Sequence, residues 1–186
     1  EQVSCVRSAV DPKPYLIDYD PAGFKAALGL APDALLVGTV AQLIPRKGHR
    51  HLLAALPAVL AKHPRLQVLI FGRGPLEAEL RQAISDQGLS GQVRLLGFRD
   101  DLPAVPGCLD LLVHPADMEG LGVSLLQASA ARVPIIATRA GGMPEAVRDG
   151  QNGLLIAPGD VAGLAAAMNR LLDDAALRPR GHARHR

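Results

Sequence analysis

At 186 residues the chain can bury one full-sized core, and any second domain would have to be small. Hydrophobic residues make up 48% and aromatics 3%, with no Trp, which excludes a disordered chain and requires a core of Ala, Leu, Val and Ile. The formal charge of +2 is too small to argue for a nucleic-acid partner.

Up to Pro32 the chain is rich in proline and reads as a strand-like start and a meandering linker, followed by a short helix over Phe24–Leu28 that stops at Gly29. Residues 1–33 are therefore assigned as a linker and interdomain segment, 34–174 as the folded domain, and 175–186 as a basic, disordered tail. Leu35–Ala41 is β-rich, and His51–Ala61 has helical spacing, so the two form an opening βα unit. The loop between them, Gln42-Leu-Ile-Pro-Arg-Lys-Gly-His49, lies at the carboxyl end of a strand, where open parallel sheets bind ligands. Arg46 and Lys47 there could each contact a diphosphate, or could form a solvated basic turn.

Leu66–Phe71 is the next buried strand. It runs into Gly72-Arg-Gly-Pro75 and a helix over Leu76–Gln87. Gly72 and Gly74 serve tight packing or ligand approach equally well, and the third glycine of the dinucleotide fingerprint is absent. Gln92–Leu96 is a short strand. Phe98 after it, with Arg99 beside it, has a core reading, because most aromatics are largely buried. Asp100-Asp-Leu-Pro103 has the acidic start of a short helix. Leu109–His114 is a strand with a lone histidine at its tip, and no second His, Cys or carboxylate stands at metal-ligand spacing. His114 is therefore assigned to orienting or packing.

Asp117 to Glu145 organises the rest. Glu119, Gly120, Leu121 and Gly122 lead into a short helix over Val123–Ala131, which places a carboxylate at the mouth of a helix. The free N–H groups of that first turn, with the positive end of the dipole, make a seat for a phosphate. Val133–Ala137 follows as a buried strand, then a glycine turn and Pro144 in the first turn of another helix. Gly153–Ile156 is the last strand, and Asp160 caps a helix over Val161–Leu172. The alternation gives a doubly wound, Rossmann-like parallel α/β sheet of about six strands with helices on both faces.

The stretch EGLGVSLLQASAARVPIIATRAGGMPEAVRDGQNGLLI resembles the donor-binding half of a nucleotide-sugar-dependent glycosyltransferase of the GT-B fold, family 4 (glycosyl transferases group 1). The likeness extends upstream through Ile44–Gly48, Phe71–Pro75 and Leu96–Phe98, and downstream to Pro158–Asp160. It implies a retaining transfer of a hexosyl group from an NDP-sugar, UDP- or GDP-linked, to an acceptor, without a metal ion or other cofactor.

On that resemblance Glu119 is the catalytic carboxylate, which holds sugar hydroxyls or developing positive charge. Lys47, with Arg46 and the turn Gly120-Leu121-Gly122-Val123, holds the diphosphate. Phe98 and Arg99 lie near the base, and for Phe98 this ligand contact is an equal alternative to the core reading. The family's second glutamate is replaced by Gln127, which should hold the ribose more weakly because an amide offers one acceptor where a carboxylate offers two. The Arg of the family's Gly-Arg-Leu phrase is replaced by Gln42. Gln42, Gly72, Gly74 and His114 remain as further donor contacts.

The resemblance also implies that acceptor groups come from a domain absent from this chain, so that the chain alone turns over poorly or not at all. Because the sequence starts at Glu1, a fragment is expected. A degenerate, non-catalytic nucleotide- or protein-binding module is the alternative. Cys5 and Cys108 are too few and too far apart for a disulfide framework and fit a reducing cytoplasm. No run approaches eighteen apolar residues, so the expected location is cytoplasmic, with peripheral contact to the inner membrane face in the full enzyme. Arg178, Arg180, Arg184 and Arg186 lie in the last nine residues, and removing their charges leaves the body slightly negative. That tail is read as a solvated end rather than a lipid or nucleic-acid contact.

Overall fold

Six apolar runs become six strands of one sheet in the computed structural model, which describes residues 9–174. The strands are β1 (Leu35–Val40), β2 (Leu66–Phe71), β3 (Val93–Gly97), β4 (Leu111–His114), β5 (Ile135–Thr138) and β6 (Gly153–Ile156). All neighbours pair in parallel, in the order β3-β2-β1-β4-β5-β6. The helices are α1 (Pro21–Ala27), α2 (His49–Leu60), α3 (Glu77–Asp86), α4 (Val123–Ala130), α5 (Met143–Ala146) and α6 (Val161–Asp173). This is the expected doubly wound α/β fold. The anticipated strand-like start, Cys5 and the arginine-rich tail lie outside the described residues.

Successive strand residues point to opposite faces, and the core divides accordingly. Val37, Val68, Ile70, Leu111, Val113 and Ile136 pack beneath the apolar stripes of α2, α3 and α6. Leu36, Leu69, Phe71, Leu112, Ile135 and Ala137 pack beneath α4 and α5. Each central strand is covered on both sides, which is why these strands read as continuous apolar runs rather than as an alternation.

The segment read as a linker is packed onto the second of these cores. Tyr15 is buried there, and Tyr19, Phe24, Leu28 and Leu30 line it. The helix in this segment begins at Pro21 rather than Phe24, because the Asp20 carboxylate accepts the Gly23 N–H at 2.8 Å and caps it.

Two strands start later than their apolar runs suggest. The strand read from Leu109 begins at Leu111, because the Asp110 carboxylate takes the place of a ladder carbonyl and accepts the Leu36 N–H at 2.7 Å. The strand read from Val133 begins at Ile135, because residues 131–133 close α4. Arg132 N–H donates to the Ser129 carbonyl and Val133 N–H to the Ala128 carbonyl, with Arg132 at φ 59°. These are the bonds of a Schellman cap, made with arginine where glycine is usual.

Between β2 and β3 the register skips a residue. Ile70 faces Leu95 but Phe71 faces Gly97, and Gly97 has a φ of 71°. A bulge of this kind re-aims the chain that follows it. Phe98 is accordingly 57% exposed, which corrects its reading as a core residue.

Candidate functional site

The order of strands reverses between β1, whose chain next visits β2, and β4, which leads on to β5. Neighbouring connections leave the sheet on opposite sides at such a point, and a crevice opens above the carboxyl ends. A cavity of about 550 Å³ occupies that position. Its wall combines the ends of β1 (Ala41, Gln42), β2 (Gly72, Arg73) and β4 (His114) with Phe98, Lys47, Glu119, Gln127 and the start of α4. A second cavity of about 350 Å³ lies against Val133, Pro134, Asn152 and Gly153, at the amino ends of β5 and β6. Helix carboxyl ends lie at that end of a parallel sheet, not the amino ends that seat a phosphate.

Two loops are tied together to make the floor. Gly48 has a φ of 70°, and a Cβ there would collide with the Pro115 carbonyl oxygen, so only glycine lets these loops approach. The Asp117 N–H donates to the Arg46 carbonyl at 2.8 Å, and Arg50 and His51 each bond the Asp117 carboxylate at 2.8 Å. On the other side, Gly142 N–H donates to the Gly120 carbonyl at 2.6 Å, and a Cβ on Gly141 would collide with the Glu119 carbonyl oxygen. The Glu119 loop is therefore held from both sides.

This frame brings Lys47 and Glu119 together across 72 positions of sequence, as an ion pair with about a tenth of each side chain exposed. His114, almost fully buried, donates from Nε2 to the same Glu119 oxygen at 2.9 Å. Its Nδ1 faces the Ser124 hydroxyl at 3.4 Å, so the ring bridges β4 to the first turn of α4. The other Glu119 oxygen accepts the Gly120 N–H at 3.0 Å.

The hydrogen bond from His114, and then the Lys47 ammonium, overcome the effect of burial. They hold the Glu119 carboxyl at about 2, so the group is an anion at neutral pH. Beneath them, buried His49 donates from Nε2 to the Gln42 carbonyl at 3.0 Å, and burial pushes its pKa down. That bond ties α2 to the strand-end residue Gln42, which lines the cavity.

α4 starts at Gly122 (φ 79°) with no side-chain cap, and Gly122, Val123 and Ser124 line the cavity. The orphan N–H groups of its first turn are left for a ligand. Gln127, one turn on, also lines the wall, and its Nε2 donates to the Tyr15 hydroxyl at 2.7 Å. Of the residues singled out by sequence, Lys47, Gln42, Gly72, Phe98, Arg99, His114, Glu119, Gly122, Val123 and Gln127 meet here.

Arg46, Gly74, Gly120 and Leu121 do not form part of the wall. Arg46 is exposed and contributes its carbonyl to the loop instead. Gly74 lies against the Leu43 main chain, where a Cβ would collide, so it serves packing.

Sequence reasoning missed Tyr15, Arg73, Ser124 and the brace at Asp117. Arg73 stands in Gly72-Arg-Gly-Pro75, where the glycines carry the turn signal and the arginine carries none of its own. Tyr15 gave no signal, since it stands far from every motif.

The sequence model of the glycosyl transferases group 1 family matches residues 31–174. A GDP-mannose-dependent monoacylated alpha-(1-6)-phosphatidylinositol monomannoside mannosyltransferase of Corynebacterium glutamicum is 35% identical over 164 residues, which cover 83% of this chain and 42% of that protein. A 2-deoxystreptamine glucosyltransferase of Streptomyces kanamyceticus is 35% identical over 143 residues, 76% of this chain and 37% of that protein. The chain thus spans less than half the length of these relatives.

Among solved structures, Anabaena Alr3699/HepE in complex with UDP matches with a TM-score of 0.83 and 29% identity, over 92% of this chain and 48% of that one. The C-terminal domain of a glycosyl transferase group 1 family protein, LpcC, from Francisella tularensis matches with a TM-score of 0.81 and 26% identity, over 92% and 91%. With its Rossmann-like sheet, its crevice at the strand-order reversal and these matches, the chain belongs to the group 1 glycosyltransferases of the GT-B fold.

Proposed function

We propose that this chain binds the nucleotide-sugar donor of a retaining glycosyltransferase, with an acceptor domain supplied by sequence outside these residues. The observation that carries the reading is the pairing of Lys47 with Glu119 beside the uncapped start of α4, in a cavity at the switch point. The UDP held by the Anabaena structure and the GDP-mannose named for the corynebacterial relative support a nucleoside diphosphate as leaving group.

The task is to stabilise negative charge on the departing diphosphate while the anomeric carbon becomes positive. Lys47 and the α4 N–H groups meet the first demand without a metal ion. Glu119, kept ionised by His114 and Lys47, meets the second by holding sugar hydroxyls or the developing positive charge. Gln127 retains its amide oxygen for a ribose hydroxyl while its nitrogen is engaged by Tyr15. Phe98 offers an exposed ring to the base.

No described helix is long and apolar enough to cross a membrane. We place the complete enzyme in the cytoplasm, peripheral to the inner membrane face. The phosphatidylinositol-based acceptor named for the corynebacterial relative supports that placement.

Calorimetric titration of UDP and GDP in the presence of a chelator tests the reading. Binding is expected for at least one, weakened roughly ten-fold or more in Lys47→Ala through loss of a charge-assisted phosphate bond. The second reading, a degenerate module without donor, is favoured by the neutral amides at Gln42 and Gln127. It predicts no binding of either nucleotide at millimolar concentration.

A further inference from the structure

We propose that Arg73 is a second diphosphate cation of this site, and that its contact with Phe98 is the resting position from which it moves when the ligand arrives. This rests on the donor-binding reading above. The cations of the cavity wall are Lys47, Arg73 and Arg99. Lys47 is neutralised by Glu119, and Arg99 is held on Asp101 by two hydrogen bonds, one of them 2.7 Å from Nε. Arg73 makes no ion pair among the described residues. Its guanidinium lies 5.4 Å from the centroid of the Phe98 ring.

A nucleoside diphosphate brings more than one negative charge into a wall where Lys47 is shared with Glu119 and Arg99 with Asp101, so Arg73 is the cation there that can join Lys47 without giving up an anionic partner. Arg73 also stands beside Gln42, where the wall has an amide instead of a charge, and so supplies from β2 what β1 lacks.

The main chain supports a swing of the side chain alone. The Leu43 N–H donates to the Arg73 carbonyl at 2.9 Å, and the preceding Gly72 N–H donates to the Gly97 carbonyl at 2.8 Å. Gly72 sits with φ at 142°, against the Ala41 carbonyl, where any Cβ would collide. The Cα of Arg73 is thereby fixed between the ends of β1 and β3, while its side chain is exposed. A cation on an exposed aromatic face is held more weakly than by a charge-assisted phosphate bond. Departure of the guanidinium leaves the Phe98 face to the nucleobase, so phosphate and base binding are coupled through one exchange.

The test uses the 186-residue chain and its Arg73→Gln and Arg73→Lys variants, titrated with a nucleoside diphosphate and with the corresponding nucleoside. Thermal unfolding checks that each variant folds; the position is exposed and its main-chain bonds remain. The expected result is a ten- to hundred-fold loss for the diphosphate in Arg73→Gln, partial recovery in Arg73→Lys, and nucleoside affinity that is unchanged or improved. Dependence of diphosphate affinity on salt should also become shallower in Arg73→Gln.

Equal diphosphate affinity in wild type and Arg73→Gln overturns the assignment and leaves the donor-binding reading standing. Equal losses for diphosphate and nucleoside also overturn it, because Arg73 would then only support the Phe98 ring. Failure of the wild type to bind any nucleotide overturns the donor-binding reading and the role of Arg73 together.

Discussion

The side-chain amide of Gln127 donates to the Tyr15 hydroxyl at 2.7 Å, joining the helix that lines the cavity to a segment 112 positions earlier that lies outside the sheet. Tyr15 is buried, so its hydroxyl is a fixed point. The contact decides which end of the amide Gln127 shows to a ligand, namely its oxygen.

A carboxylate at this position can accept from Tyr15 with one oxygen and from a ribose hydroxyl with the other. Gln127→Glu is therefore expected to strengthen binding of ribose nucleotides by about 1 kcal/mol, the net worth of one improved hydrogen bond. The 2′,3′-dideoxy counterparts should gain nothing, and calorimetry on the two ligand series measures the difference. Equal gains in both would show that position 127 does not face the ribose.

Glu119 makes stability depend on acid. Its carboxyl is held at about 2 in the fold, chiefly by the hydrogen bond from His114, against an ordinary value near 4.5. The depressed value means that its contribution is complete above about pH 4.5 and is lost as pH falls toward 2. Glu119→Gln should cost on the order of 2 kcal/mol at neutral pH. Thermal unfolding of both proteins between pH 2 and 6 should show that gap closing toward the acid end. A gap that stays constant would remove the carboxylate's charge as its cause.

Asp117 touches no cavity atom, yet it fixes the loop that carries Lys47 through Arg50, His51 and the Arg46 carbonyl. Asp117→Ala keeps the main-chain bond and removes the two side-chain bonds. The expected cost is about 1–2 kcal/mol in urea unfolding, with a several-fold loss of nucleotide affinity as Lys47 loosens. Lowered stability with unaltered affinity would mean that the main chain alone positions the lysine.

Arg132 occupies the left-handed region at the end of α4, where a Cβ costs roughly 1–2 kcal/mol. Glycine relieves that strain but gives back about half of it in chain entropy. Arg132→Gly should raise stability by about 0.5–1 kcal/mol, or roughly 2–3 °C in Tm for a domain of this size. Arg132→Val should lower it. Calorimetric scans of the two variants are expected to move in opposite directions.

The elements of this domain are legible in the chain because their causes are local. Leu66–Phe71 and Gly153–Ile156 are strands at the expected residues, since an apolar run bounded by turn residues is enough to specify a strand, the first almost wholly buried and the second a half-buried edge. The cap at Asp160 and the proline openings follow from hydrogen-bonding groups within a few positions of one another. Glu119 and Lys47 could be singled out separately, by their places beside turns that end strands.

That the two residues meet was decided by sheet order, because β1 lies against β4 and not only against β2, and no periodicity within either loop encodes that neighbour. The same holds for the contrast between Arg46 and Lys47. Adjacent residues in a tight turn leave it in different directions, and only the packing of the Asp117 loop over that turn determines which of them enters the cavity. Phe98 was ambiguous in sequence because its exposure follows from a one-residue register shift between two strands, a property of the pair and not of either strand alone. Gln127 could be identified as an amide, but the orientation of that amide came from a tyrosine brought to it by the fold, through a bond whose two ends share no local pattern.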